Sequence, residues 1–242
     1  MKTFFRDLNS TMSQALTPVV KWLFYISVGS FILITLSRLF GHLAPSFLVS
    51  NLGASLNGIL HGKIWQLITY AFVHAGLFHL MFNLLAIYFF GQRLEHRWGS
   101  SSFLKFVIVV IVGAVLVHLS VAGINAAVTG QGGNDTIVGI SGLVYGVMLA
   151  CAIYYPDDVV YLQFLIPIKM KFLVAIMAFI TIVSSLEGSA GSGIAHLTHL
   201  GGLVFAFLYI KVPVLFDWIP EPRIPFRKKP KFVDPRERWR KF

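Results

Sequence analysis

Residues 103–122 read FLKFVIVVIVGAVLVHLSVA, a run of 20 residues in which Lys105 and His118 are the only ionisable side chains. A helix of roughly 20 mostly apolar residues crosses the hydrocarbon core of a bilayer. Five further apolar segments occur along the chain, at approximately 20–40, 77–92, 137–155, 169–186 and 194–210. The pattern predicts an all-α fold, a polytopic membrane protein with six transmembrane helices.

The composition indicates the same class of protein. Hydrophobic residues make up 56% of the 242 residues and charged residues 12%, whereas a soluble domain has roughly a quarter of its residues charged. The net charge of +10 could indicate nucleic acid, but ten of the 20 Lys and Arg residues lie between Lys211 and Lys241, at or beyond the end of the last apolar segment. A basic tail at that place is typical of a cytoplasmic segment facing anionic lipid. We therefore expect a lipid bilayer, and no nucleic acid, as the partner.

The positions of the charges predict the orientation. Eighteen of the 20 Lys and Arg residues lie near the first span's start, in the second and fourth connections or after the sixth span, and only Arg38 and Lys63 fall on the other side. The positive-inside rule places both termini in the cytoplasm, and we expect a plasma (inner) membrane. Three parts are predicted: an N-terminal segment 1–19, a membrane domain 20–210 and a basic, Pro-rich tail 211–242. Because the N-terminus is largely polar, we do not expect a cleavable signal peptide.

The connection from about 41 to 76 is long and only weakly polar. It could lie in the outer membrane interface, with Trp65 at headgroup depth. It could equally be an ordinary extracellular loop with a small apolar cluster of its own.

Polar residues cluster at one depth in three of the predicted spans. The second, fourth and sixth spans run from outside to inside, and their first two turns contain His79 and Asn83, then Ser141, then His196 and His199. Polar side chains are expensive inside a bilayer. At about 1.5 Å per residue, Ser141 and His199 are expected roughly 6–9 Å inside the outer helix ends. We interpret these residues as one site.

Ser141 follows a flexible Gly-rich loop and stands near a predicted helix start, where backbone N–H groups lack intrahelical partners and suit an oxyanion. The alternative is a capping or packing serine. A histidine that activates serine must come within roughly 2.6–3.2 Å of it. Gly142 with Gly146, and Gly202 with Ala206, form small-residue faces that allow two helices to approach closely. A buried interhelical hydrogen bond is the alternative role for the histidine.

His79 and Asn83 share a helix face and can both donate to an oxyanion, although helix adhesion would use the same groups. Tyr145 could orient an imidazole or pack in the core. Asp and Glu are absent from the outer halves of these spans, which favours a Ser-His dyad. A zinc site of His74, His79, His196 and His199 would lack the His-Glu-Xaa-Xaa-His spacing, so no metal or other cofactor is expected. His74 and His118 are interpreted as interfacial or structural.

The chain resembles the rhomboid family of intramembrane serine proteases over about residues 50–210. The shared elements are His79-Leu80-Met81-Phe82-Asn83, then Gly91, Glu95, Arg97 and Gly99, then Gly139-Ile140-Ser141-Gly142 with Tyr145, and finally His199-Leu200-Gly201-Gly202.

The resemblance implies a six-helix rhomboid-like bundle that cleaves single-span membrane proteins. It implies a dyad of Ser141 and His199, because the family's histidine stands three residues before the first close-packing glycine, here Gly202. It also implies an oxyanion site of His79, Asn83 and the Ser141 N–H, with Gly139, Tyr145 and Gly202 in supporting roles. Substrate would enter past the fifth helix, under a cap formed by residues 187–193.

Two positions depart from the family pattern. Gln66 follows Trp65 where relatives commonly have arginine, so a charge that stabilises the loop is missing, and Ala206 stands where glycine is usual. Two rival functions remain: a non-catalytic rhomboid-like protein that binds membrane clients, and a small transporter. A transporter would have charges near the midplane and internal repeats, and the sequence shows neither.

Overall fold

The computed structural model describes residues 16–40, 45–130, 133, 135–162, 165–187 and 192–220. Most of the predicted N-terminal segment, most of the basic tail and residues 188–191 of the predicted cap lie outside the described residues. The predicted division into three parts therefore stays a prediction.

Most of the described chain is helical. Its helices, in chain order, are α1 (Pro18–Phe40), α2 (Pro45–Leu52), α3 (Leu56–Leu60), α4 (Gln66–Thr69) with a 3-10 turn (Tyr70–Phe72), α5 (Leu77–Ala86) with a π-helical turn (Ile87–Gly91), α6 (Gln92–Trp98), α7 (Ser100–Thr129), α8 (Ser141–Tyr154), α9 (Met170–Glu187) and α10 (Ser192–Lys211), followed by a 3-10 turn (Pro213–Leu215). Two short antiparallel strands, β1 (Val159–Leu162) and β2 (Ile166–Lys169), separate α8 from α9.

The predicted all-α membrane bundle is confirmed. Within the described residues, three helical stretches are long and apolar enough to cross a bilayer: Pro18–Ser37 in α1, Leu77–Trp98 from α5 to α6, and Ser100–Thr129, which is α7. The segments Ser141–Tyr154 and Met170–Leu186 are shorter apolar helices. Together with α10 they occupy the six positions predicted from the sequence.

The fourth predicted span begins later than expected, at Ser141 instead of about residue 137. Ile137 is held in an antiparallel bridge with Ala54, and the N–H of Gly139 donates to the carbonyl of Tyr70 at 2.9 Å. Gly139 also has a φ of +112°, which a right-handed helix does not allow. These backbone contacts keep residues 137–139 out of the helix, and α8 begins at Ser141.

Helix α7 lies at the centre of the bundle. Phe103, Phe106, Val110 and Ala114 along its length are fully buried, as expected for a helix surrounded by other helices. Helix α10 packs chiefly against α7 and α8, and α9 packs against α8 and α10. This arrangement brings the N-terminal halves of α8 and α10 side by side.

The N-terminus of α1 is held by a buried carboxylate from α6. Glu95 is only 2% exposed, and its oxygens accept hydrogen bonds from the N–H groups of Val19 (2.9 and 3.2 Å) and Val20 (3.1 Å). The hydroxyl of Ser100 also donates to it at 2.6 Å. These N–H groups lack partners within their own helix, and a negative charge there complements the helix dipole. Glu95 therefore fixes α1 against the second span.

The connection between α1 and α5 is tied together by Gln66, which is fully buried. Its Nε2 donates to the carbonyls of Ser50 at 2.9 Å and Asn51 at 3.3 Å, and its Oε1 accepts from the N–H of Ser55 at 3.3 Å. A neutral amide thus ties the loop where the family pattern has a charge.

Several large apolar side chains of this connection are exposed, among them Leu60, Ile64 and Trp65. They are not packed into a cluster of their own, and this favours the interfacial alternative for the loop.

The hairpin of β1 and β2 was not predicted from the sequence. It follows the C-terminal end of α8, at the end of that helix away from Ser141, and ion pairs link it to neighbouring elements. Arg93 of α6 pairs with Asp158, and Asp157 accepts from Lys171 at 2.9 Å and Lys169 at 3.2 Å. Hydrogen bonds from Lys171 and Lys169 lower the pKa of the Asp157 carboxyl. The pair with Arg93 joins the start of the hairpin to the second span.

Candidate active site

Ser141 and His199 are in hydrogen-bond contact. Ser141 is the first residue of α8, and its Oγ lies 2.7 Å from Nε2 of His199 on α10. This is the distance expected between a nucleophile and the base that takes its proton. The two residues are 58 positions apart in the sequence, and the packing of α10 on α8 brings them together.

That packing depends on the absence of side chains at the helix crossing. A Cβ atom added to Gly202 would lie 2.7 Å from the carbonyl carbon of Gly142, and one added to Gly146 would lie 3.1 Å from the carbonyl oxygen of Gly202. Ala206 is fully buried at the same crossing. The small-residue faces predicted from the sequence therefore do meet, and they allow the backbones close enough for a serine to reach a histidine.

Tyr145 lies one turn after Ser141, and its ring stacks on the imidazole of His199. The ring centroids are 4.5 Å apart and the planes differ by 4°. The phenol oxygen lies 3.3 Å from Oγ1 of Thr181 on α9. No sequence pattern singled out Thr181, because a lone threonine in an apolar helix commonly bonds to its own backbone.

His79 and Asn83 come to the same region from α5. The ring of His79 lies against Gly139, where an added Cβ would be 2.7 Å from Cε1 of that ring. Asn83 is 6% exposed, and its buried Nδ2 has no hydrogen-bond partner among the described residues. An amide with two free donors is suited to an anionic oxygen that is present only during a reaction.

His74 is buried beside His79, with ring centroids 5.2 Å apart. Its Nδ1 lies 3.2 Å from the carbonyl of Phe72 and donates to it. Burial, together with the nearby His79, lowers the pKa of His74 to about 4. His74 is therefore a neutral, buried side chain, which favours the structural over the interfacial interpretation. His118 is also fully buried, within α7.

The second histidine of α10, His196, lies next to His199 with ring centroids 6.1 Å apart. The hydrogen bond to Ser141 is made by His199. The Nδ1 atom of His199 is buried, and among the described residues it has no hydrogen-bond partner. The described part of the chain also contains no group of three or more His, Cys, Asp or Glu side chains that could hold a metal ion.

The arrangement has the parts that acyl transfer requires: a hydroxyl in contact with an imidazole, at a helix N-terminus whose N–H groups are free of intrahelical partners. The predicted site residues Ser141, His199, Tyr145, His79 and Asn83 lie around the N-terminal halves of α5, α8 and α10. Their catalytic roles stay predictions.

A family model described as a Rhomboid domain matches residues 61–214 of the chain. This range includes α4 to α10 and every predicted site residue. Several curated proteins are also similar to the chain.

The RHOMBOID-like protein 12 (mitochondrial) of Arabidopsis thaliana is 29% identical over 168 residues, which cover 66% of this chain and 49% of that protein. The putative rhomboid protease YdcA of Bacillus subtilis is 27% identical over 157 residues, covering 64% of this chain and 71% of that protein. The rhomboid protease GlpG of Salmonella paratyphi A is 28% identical over 149 residues, covering 60% and 47%. The chain spans about half the length of the first and third of these relatives.

Proposed function

Because this chain belongs to the rhomboid family of integral membrane proteins, we propose that it is an intramembrane serine endopeptidase whose catalytic dyad is Ser141 and His199. The observation that supports the proposal most directly is the 2.7 Å contact between the Ser141 hydroxyl and Nε2 of His199.

In the first step the Ser141 oxygen attacks a carbonyl carbon of the substrate backbone. His199 Nε2 takes the hydroxyl proton as the Oγ–C bond forms, so that the alkoxide never exists free. The protonated imidazole then gives that proton to the leaving amine as the C–N bond breaks. An acyl-enzyme remains on Ser141, and a water molecule, activated by the same imidazole, releases the new carboxyl terminus.

The carbonyl oxygen gains a negative charge in this step. His79, the unpartnered Nδ2 of Asn83 and the N–H of Ser141 are the donors that we assign to it. Donors that are already oriented stabilise the transition state more than the ground state, and removing one such donor lowers kcat by about 10²- to 10³-fold. Gly139 and Gly202 support the site by allowing the close contacts described above.

The substrate is proposed to be a single-span membrane protein. A peptide bond inside a helix is shielded by side chains and hydrogen-bonded, so the segment that is cut must unwind. Segments with helix-breaking residues should therefore be cleaved faster. Stabilising the substrate helix should slow the reaction, and an unchanged rate would contradict this part of the proposal.

The orientation follows from the charges. Both termini and the hairpin of β1 and β2 would face the cytoplasm of a plasma membrane, as the positive-inside rule requires, with residues 1–19 and 211–242 as cytoplasmic segments. Ser141 and His199 would then lie near the outer leaflet.

A cleavage assay in liposomes tests the proposal. The native protein should cut a single-span substrate and react with a fluorophosphonate probe, whereas Ser141→Ala and His199→Ala should lose cleavage. Ser120→Ala and His61→Ala, which change an exposed serine and an exposed histidine, are the matched controls and should retain it. A native protein that binds substrate but neither cuts it nor reacts with the probe would instead be a client-binding protein.

A further inference from the structure

Few contacts among the described residues fix the orientation of the His199 imidazole. Its Nε2 contacts Ser141, but among the described residues its Nδ1 has no hydrogen-bond partner. In many serine hydrolases a carboxylate at that nitrogen fixes the ring. Here the parallel stacking of the Tyr145 ring, at 4.5 Å and 4°, is the contact that defines the plane of the imidazole.

The ring of Tyr145 needs a restraint of its own to keep this orientation. Its hydroxyl, at the far end of the ring, lies 3.3 Å from Oγ1 of Thr181. Thr181 is 1% exposed, so water does not compete for this contact. A bond at the para position opposes tilting of the ring, and tilting is the motion that would break the parallel stacking.

The direction of this hydrogen bond follows from the number of protons available. A threonine hydroxyl has one proton and two lone pairs. Oγ1 of Thr181 lies 2.8 Å from the carbonyl of Met177, one turn earlier on α9, and donates its proton there. Its lone pairs then accept the proton of the Tyr145 hydroxyl. Thr181 is therefore an oriented acceptor fixed to its own helix.

We infer that Thr181 of α9 is a positioning residue for the reaction: it holds Tyr145 through the phenol hydroxyl, and Tyr145 holds the plane of the His199 imidazole. The inference rests on the proposed protease function. It adds a fourth helix, α9, to the three that carry the site residues, and in this scheme α9 supplies no group that touches the substrate's reacting atoms.

The test compares kcat and KM in liposomes for Thr181→Val, Tyr145→Phe and the double variant. Valine keeps the shape of threonine and phenylalanine keeps the stacked ring, so each variant removes only one hydroxyl. Each should lower kcat by about 3- to 10-fold, the range set by the net contribution of one neutral hydrogen bond, with KM unchanged. The double variant should be no slower than either single variant, because both remove the same bond.

Two further variants separate positioning from a general structural effect. Thr181→Ser restores the acceptor and should recover the kcat of the native protein. Ser185→Ala removes a hydroxyl on the same helix that donates to the carbonyl of Thr181 at 2.7 Å, and it should leave kcat unchanged. Thermal unfolding in detergent confirms that each variant is folded, and if Thr181→Val is not, Tyr145→Phe carries the test by itself.

A Thr181→Val or Tyr145→Phe protein with native kcat would overturn the inference, as would single losses that multiply in the double variant. These results leave the proposed function intact as long as the native protein cuts its substrate. If the native protein neither cuts nor reacts with a fluorophosphonate, the proposed function fails first and the positioning role with it.

Discussion

Gly139 is a residue at which both the backbone conformation and the neighbouring atoms exclude a side chain. Its φ of +112° lies in the region that L-residues avoid, and an added Cβ would stand 2.7 Å from Cε1 and 2.9 Å from Nε2 of His79. The imidazole that we assign to the oxyanion therefore packs directly on the backbone two residues before the nucleophile. Any side chain at residue 139 must displace that ring or the loop.

We expect Gly139→Ala to lower the rate of fluorophosphonate labelling and of cleavage by at least about tenfold, since a displacement of about 1 Å at a reacting centre can cost 10²-fold. Gly29→Ala is the matched control, because an added Cβ there meets nothing within 4 Å. The two variants are compared by measuring their rates of labelling with the fluorophosphonate in liposomes of the same composition. Native rates for Gly139→Ala would show that the contact with His79 is not needed.

At the scale of elements, the crossing of α8 and α10 decides whether a dyad can form. An added Cβ on Gly202 would lie within 3.1 Å of three backbone atoms of Gly142, and backbone cannot move aside as a flexible side chain can. The contact between Ser141 and His199 is three residues from Gly202 on α10 and one residue from Gly142 on α8. A small separation of the helices would therefore lengthen the contact directly.

Gly202→Ala should destabilise the bundle by about 1–3 kcal/mol, the usual cost of overpacking a buried contact, and should reduce cleavage as well. Gly123→Ala on α7 is the matched control, since the nearest atom to its added Cβ is at an ordinary 3.8 Å. Thermal unfolding in detergent measures the first effect and the liposome assay the second. If Gly202→Ala unfolds at the native temperature, the helices do not approach as closely as described.

The first helix depends on a single carboxylate. Glu95→Gln removes the negative charge that accepts from Val19, Val20 and Ser100, and it turns an NH₂ group toward backbone donors. We expect a loss of roughly 1.5–3 kcal/mol in the free energy of unfolding, because hydrogen bonds to charged groups contribute in this range. Asp157→Asn alters an exposed carboxylate just before the hairpin and should unfold close to the native temperature. Equal unfolding temperatures for the two variants would contradict the role of Glu95.

The sequence predicted the spans well and their starts less well. Apolar length alone located the six spans, and the small-residue faces correctly indicated which helices approach closely. The start of α8 was misplaced by four residues, because the bridge from Ile137 to Ala54 and the bond from Gly139 to Tyr70 are long-range contacts without a local pattern. The same reason applies to the contacts of Gln66, Glu95 and Thr181: each bonds to a partner distant in sequence, and that partner is visible only in the fold.

At the scale of the whole molecule, the exposed surface is that of a protein dissolved in lipid. Large apolar side chains point outward along the spanning helices, including Phe78 and Phe82 on α5 and Phe179 and Ile180 on α9. Water would penalise such a surface, whereas a bilayer accepts it without cost. Ser141, His199, Tyr145 and Asn83 lie together toward one end of the bundle, whereas Glu95 is buried toward the other. Because the proposed site is off-centre, the orientation of the molecule in its membrane would decide on which side a product is released.

Cysteine labelling can determine that orientation, because the chain has a single cysteine, Cys151, and its side chain is 1% exposed. A cysteine introduced at Lys63, in the connection before α5, should react with a membrane-impermeant maleimide added to intact cells. A cysteine at Asp157, in the exposed turn between α8 and β1, should react only after the cells are opened, because the positive-inside rule places the adjoining hairpin in the cytoplasm. The native chain provides the background. The reverse pattern would place the dyad at the cytoplasmic leaflet, and the same active-site contacts would then release their product into the cytoplasm.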